Sequence, residues 1–186
     1  MAKFKIAVLV GSARRDSINR KLAEALAKLG SDALDFTFVR LDELPMYNQD
    51  LEAALPESVT RFKAELAAAD GYLFVTPEHS RSITALLKNA IDWGARPWGQ
   101  SNWPNKPAAV TGASIGAIGS AIAQQHLRAV LGNQSLILAG GEAYITFKPD
   151  LIGADGTISD DSTRTFLQSF IDQFTGLVAR FSPAHK

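Results

Sequence analysis

The chain has no cysteine in its 186 residues. That excludes disulfides, thiolate nucleophiles and cysteine-built metal sites. His126 has no partner histidine nearby, so no metal site is expected. There is no excess charge of either sign: Lys and Arg number 19, as do Asp and Glu. A neutral balance gives no support for nucleic-acid or anionic-membrane binding. No stretch is long and apolar enough to span a bilayer. The basic start Met1-Ala2-Lys3-Phe4-Lys5 looks like the beginning of a secretory signal. The apolar run after it is too short, however, and ends in charged residues. A soluble cytoplasmic protein is expected. Repeats, low-complexity tracts and linkers are also missing, so residues 1–186 are expected to form a single domain with a full core.

Two glycine motifs are absent as well. Phe4 to Val10 is a short apolar run bounded by Gly11, which reads as a buried strand. It leads into Ser12-Ala13-Arg14-Arg15-Asp16-Ser17-Ile18-Asn19. Ala13 stands where a dinucleotide fold would place its second glycine, and no G-K-[ST] follows. What is present is a loop dense in donors. A helix comes next, with Leu22, Ala25, Leu26 and Leu29 at helical spacing. Unpaired amides and the positive dipole end of a helix suit a phosphate. Ser12, Ser17 and Asn19 can donate hydrogen bonds, and Arg14 or Arg15 can supply charge. Alternatively, Ser17 is a simple N-cap and the arginines are solvated.

The rest of the chain alternates strand and helix. Strands are expected at 34–41, 71–76, 106–111 and 135–139, with Glu142 to Phe147 extending or following the last. Helices are expected after Pro56, over Ile83 to Trp93, from about Ser120 to Leu131, and from Asp160 onward. The last should pack through Phe166, Leu167, Phe170, Ile171, Phe174 and Leu177. This alternation implies an α/β doubly wound sandwich, a parallel sheet with helices on both faces. Ligands of such sheets sit beyond the carboxyl ends of the strands. The loops after strands one, three and four are the Gly/Ser/Arg-rich ones. In the flavodoxin-like order 2-1-3-4-5 they are neighbours.

Several segments together resemble a known family. They are Gly11-Ser12-x-Arg14-x-x-Ser17-x-Asn19, Leu44-Pro45-x-Tyr47-Asn48-x-Asp50, Thr76-Pro77-Glu78, Ser82-Ile83, Leu87-Lys88-Asn89-Ala90-Ile91-Asp92-Trp93 and Gly112-Ala113-Ser114. The chain is similar to the NADPH-dependent FMN reductases, the flavodoxin-like group that includes quinone, chromate and azo-dye reductases. The resemblance implies bound FMN, NADPH or NADH as co-substrate, and a homodimer or homotetramer. It places Ser12, Arg14, Ser17, Ile18 and Asn19 at the phosphate. Pro77, Glu78, His79, Ser80, Arg81 and Ser82 would line the ring, and Ser114 would close the other side. It also implies ping-pong transfer to a quinone or similar acceptor such as chromate, an azo dye or free flavin. The sequence departs from the family pattern at His79-Ser80, usually Tyr-Asn, and at Ile115, usually proline or glycine.

Flavin chemistry asks little of side chains, and no acid–base triad is visible. His79 either stacks on the ring, donates a proton to a quinone, or has no role. Glu78 either accepts from a ring N–H or pairs with Arg81. Trp98 and Trp103 either roof the site or meet another subunit. Tyr47 and Asn48 are expected to border it, and Asp92 and Trp93 to be structural. Arg81 and Arg96 are candidates for reading a 2′-phosphate. The competing function is a flavodoxin-like electron carrier without direct NAD(P)H oxidation. Such carriers tend to be strongly acidic, and this chain is neutral.

Overall fold

A computed structural model describes residues 2–182. Its elements run β1 (Phe4–Val10), α1 (Ile18–Leu29), β2 (Leu34–Phe38), α2 (Glu57–Ala68), β3 (Gly71–Val75), α3 (Ala85–Ala95), β4 (Pro107–Ser114), α4 (Ala121–Asn133), β5 (Ile137–Leu138), β6 (Ala143–Thr146) and α5 (Asp161–Phe181). All strand pairs are parallel, in the order β2-β1-β3-β4-β5, with β6 also on β4. The expected doubly wound flavodoxin-like fold is present.

The sheet is covered on both faces because its central strands are buried almost throughout: residues 6–10 of β1, all of β3 and residues 107–113 of β4. In β1, Ile6, Val8 and Val10 enter one core with Leu22 and Leu26 of α1 and Ile171 and Phe174 of α5. Ala7 and Leu9 enter the other, with Val59 and Phe62 of α2, Leu87 of α3 and Leu127 of α4. Successive side chains of a strand point to opposite faces, so one continuous apolar run serves two cores.

Three expectations change. The fifth strand shortens from 135–139 to β5, and the 142–147 segment follows it, as expected, as β6; both pair with β4, with Gly140 and Gly141 between them. Gly141 has φ +81°, a turn conformation that breaks the strand. β2 stops at Phe38 rather than Leu41. Phe166 is 46% exposed, and Val178 takes the buried position at the far end of α5. Phe166 lines an open cleft with Tyr144, Ile145 and Thr146 of β6 and Lys148, which leaves its ring half in water.

Candidate functional site: three loops at one rim of the sheet

Parallel register brings the carboxyl ends of β1, β3 and β4 side by side, with Val10 opposite Val75 and Val75 opposite Thr111. The loops leaving them are held together by close backbone approach. At Gly11 a Cβ would stand 3.1–3.2 Å from Thr84, Leu87 and Pro77. At Gly112 it would stand 2.0 Å from the Thr76 carbonyl oxygen, so only glycine fits there. The Thr84 hydroxyl donates to the Gly11 carbonyl at 2.8 Å and caps α3 by accepting from the Leu87 amide. Thr84 was not singled out from the sequence, although a Thr three residues before a helical Leu is a capping signal.

The first loop is open. Ala13, Arg14, Arg15 and Asp16 are exposed. The amides of Ala13, Arg15 and Asp16 donate to no protein acceptor among the described residues, and Arg14 has no ion-pair partner there. Ser17 is the N-cap of α1: its hydroxyl oxygen accepts from the Arg20 amide at 3.2 Å, and its hydroxyl proton stays available. Ile18 opens the helix. Asn19, expected at the phosphate, also has a structural role. Its buried carboxamide donates to the Ala113 carbonyl at 3.0 Å and accepts from the Ala113 amide at 2.8 Å. It ties the start of α1 to the end of β4, and the carboxamide keeps a second N–H beyond the one given to Ala113.

The third loop is closed. His79 and Ser82 exchange backbone hydrogen bonds of 3.0 and 2.9 Å across a two-residue turn. Ser80 and Arg81 both have positive φ, +49° and +62°. Two left-handed residues in succession define the tight hairpin turn that normally takes Asn-Gly. Glu78 explains how it is held. Its side chain is only 8% exposed. One oxygen pairs with Arg81 at 2.9 Å, and the other accepts from the Ile122 and Ala123 amides at 3.1 and 3.2 Å. Those are the second and third amides of α4, the groups an N-cap side chain serves. The residue in the cap position, Ser120, is left-handed at φ +67° and makes no side-chain cap bond. Glu78 therefore caps α4 from another loop. The expected pairing with Arg81 is present. His79 is exposed, and its ring makes no hydrogen bond among the described residues. Ser82 meets His126 Nδ1 at 3.2 Å.

The fourth loop turns on Ser114, whose hydroxyl oxygen accepts from the Gly116 amide at 3.1 Å. Thr146 of β6 braces it by donating to the Ala117 carbonyl at 3.2 Å. Ile115 stands 83% exposed above it. A side chain that apolar and that open to water marks a contact surface more readily than a packing role.

The residues named from the loop after β2 lie elsewhere. Tyr47 packs edge-on to Trp93 at 5.1 Å and donates to Glu52 at 2.7 Å. Arg96 holds the same carboxylate at 2.7 and 3.3 Å. The Arg96 guanidinium keeps the Glu52 carboxyl below the usual carboxylate range, and the bond to Glu52 pushes the Tyr47 hydroxyl up. This group lines a cleft with Asn133 and Gln134 at the far end of α4. Trp98, in the same cleft, therefore does not roof the three loops, and Trp103 is fully buried in the core. Trp93 is buried, as expected, and donates to the Pro45 carbonyl.

Known proteins carry the same design. The family model for NADPH-dependent FMN reductase matches residues 4–150. The chain belongs to this family. It is 49% identical over 176 residues to a 2-hydroxy-1,4-benzoquinone reductase of Burkholderia sp, covering 94% of this chain and 96% of that one. Identity to a quinone reductase of Pseudomonas putida is 45% over 182 residues, with 94% and 95% covered. Among solved structures, FerB of Paracoccus denitrificans, a flavoenzyme NAD(P)H:(acceptor) oxidoreductase, superposes with a TM-score of 0.94 at 43% identity, covering 96% of this chain and 99% of FerB. The family members are oxidoreductases that use FMN and a nicotinamide. The first loop fits that cofactor: free amides, the start of a twelve-residue helix and an unpaired Arg14 form a donor set for a phosphate.

Proposed function

We propose that the chain is an NAD(P)H-dependent, FMN-containing quinone reductase, built as one domain over residues 1–186. The observation that carries this is the contrast at one rim: a loop of free donors beside a rigid turn and an exposed isoleucine. Arg14, the Ser12 and Ser17 hydroxyls and the amides from Ala13 to Ile18 would hold the phosphate. The backbone of Pro77 to Ser82 and that of Ser114 would flank the ring, where Glu78, Arg81 and Ser82 act by shaping the turn. When bound, FMN supplies the hydride acceptance and electron delivery. The chain would orient it between these loops, with the exposed His79 and Ile115 at the opening. Nicotinamide and quinone would take turns at that opening, which gives ping-pong kinetics. His79, exposed and with no hydrogen bond to its ring among the described residues, would give a proton to a quinone oxygen.

The quinone assignment is supported by the names of the relatives above, and the neutral charge favours a reductase over an acidic carrier. No helix among the described residues is long and apolar enough to cross a membrane. We place the protein in the cytoplasm, as a homodimer or homotetramer whose contacts include Trp98, 87% exposed.

The test is an anaerobic absorbance spectrum with added FMN, before and after one equivalent of NADPH. A protein-bound flavin spectrum that bleaches at once is expected, with parallel double-reciprocal lines against a benzoquinone. Bleaching by dithionite alone would assign an electron carrier. No bound flavin would leave the likeness one of fold.

A further inference from the structure

The buried residues of α4 are Ala123, Leu127 and Leu131, together with one polar member, Gln124, which is fully buried. An amide in such a stripe is unfavourable unless it is hydrogen-bonded. Its Nε2 lies 3.0 Å from the Ala143 carbonyl oxygen and 3.1 Å from the Ser120 hydroxyl oxygen. The Gly112 and Gly119 carbonyl oxygens are 3.4 and 3.5 Å away. Turning the amide over would set its oxygen against three carbonyls, so only the NH2 group can face them. The Oε1 atom is left without a hydrogen-bond partner among the described residues. We propose that Gln124 is a positioning residue for bound FMN, which fixes both ends of the fourth loop and so places that loop's free amides along the flavin ring. The proposal rests on the FMN reading above.

Three observations support it. The first is where the amide holds. Gly112 stands at the entry of the fourth loop, Gly119 and Ser120 at its exit, and Ala143 opens β6. One side chain thus ties entry, exit and neighbouring strand together. The second is the contrast between the ends of the loop and its tip. At Gly112 a Cβ would stand 2.6 Å from the Ser120 hydroxyl oxygen. At Gly119, with φ +53°, it would stand 2.7 Å from the Ile145 amide nitrogen. The tip is open: residues 115–118 are exposed. The amides of Ile115, Ala117 and Ile118 donate to no protein acceptor among the described residues. Fixed ends under an unsatisfied tip suit a loop that hydrogen-bonds a ligand.

The third is the link across the rim. Ile122 and Ala123, whose amides donate to Glu78, immediately precede Gln124. The first turn of α4 therefore holds the third loop through Glu78 and the fourth through Gln124. One rigid element sets the separation of the two loops that would flank the ring.

The test compares Gln124→Met with Leu131→Ala. The first keeps the length of the side chain and removes the amide. The second opens the buried face of α4 at its other end. FMN binding to the apoprotein is read by fluorescence titration, stability by urea unfolding, and the two-electron midpoint potential of the bound flavin by dye-coupled titration. Gln124→Met should raise the Kd for FMN about tenfold, because binding must then order a loosened loop. Amide donors hold an anionic ring more strongly than a neutral one. Reduced FMN should therefore lose more affinity than oxidised FMN, which lowers the midpoint potential by about 30 mV for each tenfold difference. Leu131→Ala should lower the urea midpoint and leave Kd and potential unchanged. Ser120→Ala, which removes one acceptor of the amide, should show the Gln124→Met changes at smaller size, and it takes that variant's place if Gln124→Met does not fold. Wild-type affinity and potential in Gln124→Met, or in Ser120→Ala in its place, would overturn the proposal, as would equal shifts in Leu131→Ala. Wild-type protein that binds no FMN would instead refute the FMN reading, and the proposal with it.

Discussion

The first and third loops meet at one rim but are built on opposite terms. The first leaves its donors unspent: free amides at Ala13, Arg15 and Asp16, and a free Arg14. The third spends almost everything on itself. Glu78 serves Arg81 and the start of α4, His79 and Ser82 bond each other, and two non-glycine residues sit in left-handed conformations. A loop that binds a charged group must hold unsatisfied donors. A loop that shapes a cavity must be rigid, and it becomes so by satisfying its own polar groups. Strain at Ser80 and Arg81, of the order of 1 kcal/mol each, persists because the surroundings over-determine it.

The most severe test of this contrast lies where the rim is joined. Gly112→Ala drives a Cβ into the Thr76 carbonyl. It should destabilise the fold by about 3 kcal/mol or more, read as a lower urea midpoint. Glu78→Ala leaves two helix amides and Arg81 without their acceptor. It should cost about 1–3 kcal/mol of apoprotein stability and weaken FMN binding as a consequence. Glu78→Gln, which still accepts from the amides, should recover most of the stability. Arg14→Ala should behave in the opposite way: FMN affinity falls about tenfold or more by fluorescence titration, while apoprotein melting is unchanged. If Arg14→Ala also lowered the melting temperature, the open-loop description would be wrong. FMN at a hundredfold its Kd should then stabilise the wild type by about 2.7 kcal/mol. The smallest effect is at the turn. Ser80→Gly should shift stability by less than about 1 kcal/mol, because relief of the left-handed strain is offset by backbone entropy. Ser80→Val should be clearly worse.

The loops were legible from the sequence because their composition advertises them: Ser, Arg and Gly between apolar strands. The roles inside them were less so. Asn19 and Ser17 sit two residues apart and look alike as donors, yet Asn19 also ties α1 to Ala113 of β4, while Ser17 caps α1. Phe166 fits the helical period of α5 but stands half-exposed in an open cleft. Periodicity names a face without saying where the partner sheet ends. Tyr47 and the Trp98 segment were placed near the rim by their neighbours in sequence, whereas packing on Trp93 and Glu52 draws Tyr47 to the other end of α4.

The sequence by itself determined the alternation of elements, the doubly wound sheet, the family and the three loops that meet. Those follow from local signals: apolar runs, turn residues and motif spacing. Tertiary structure decided which donors stay free, that Glu78 caps a helix 44 residues away, and that Gln124 ties the fourth loop to β6. Hydrogen-bond satisfaction is a property of three-dimensional neighbours. A polar residue shows its chemistry in the sequence, and only the fold shows whether that chemistry has already been used.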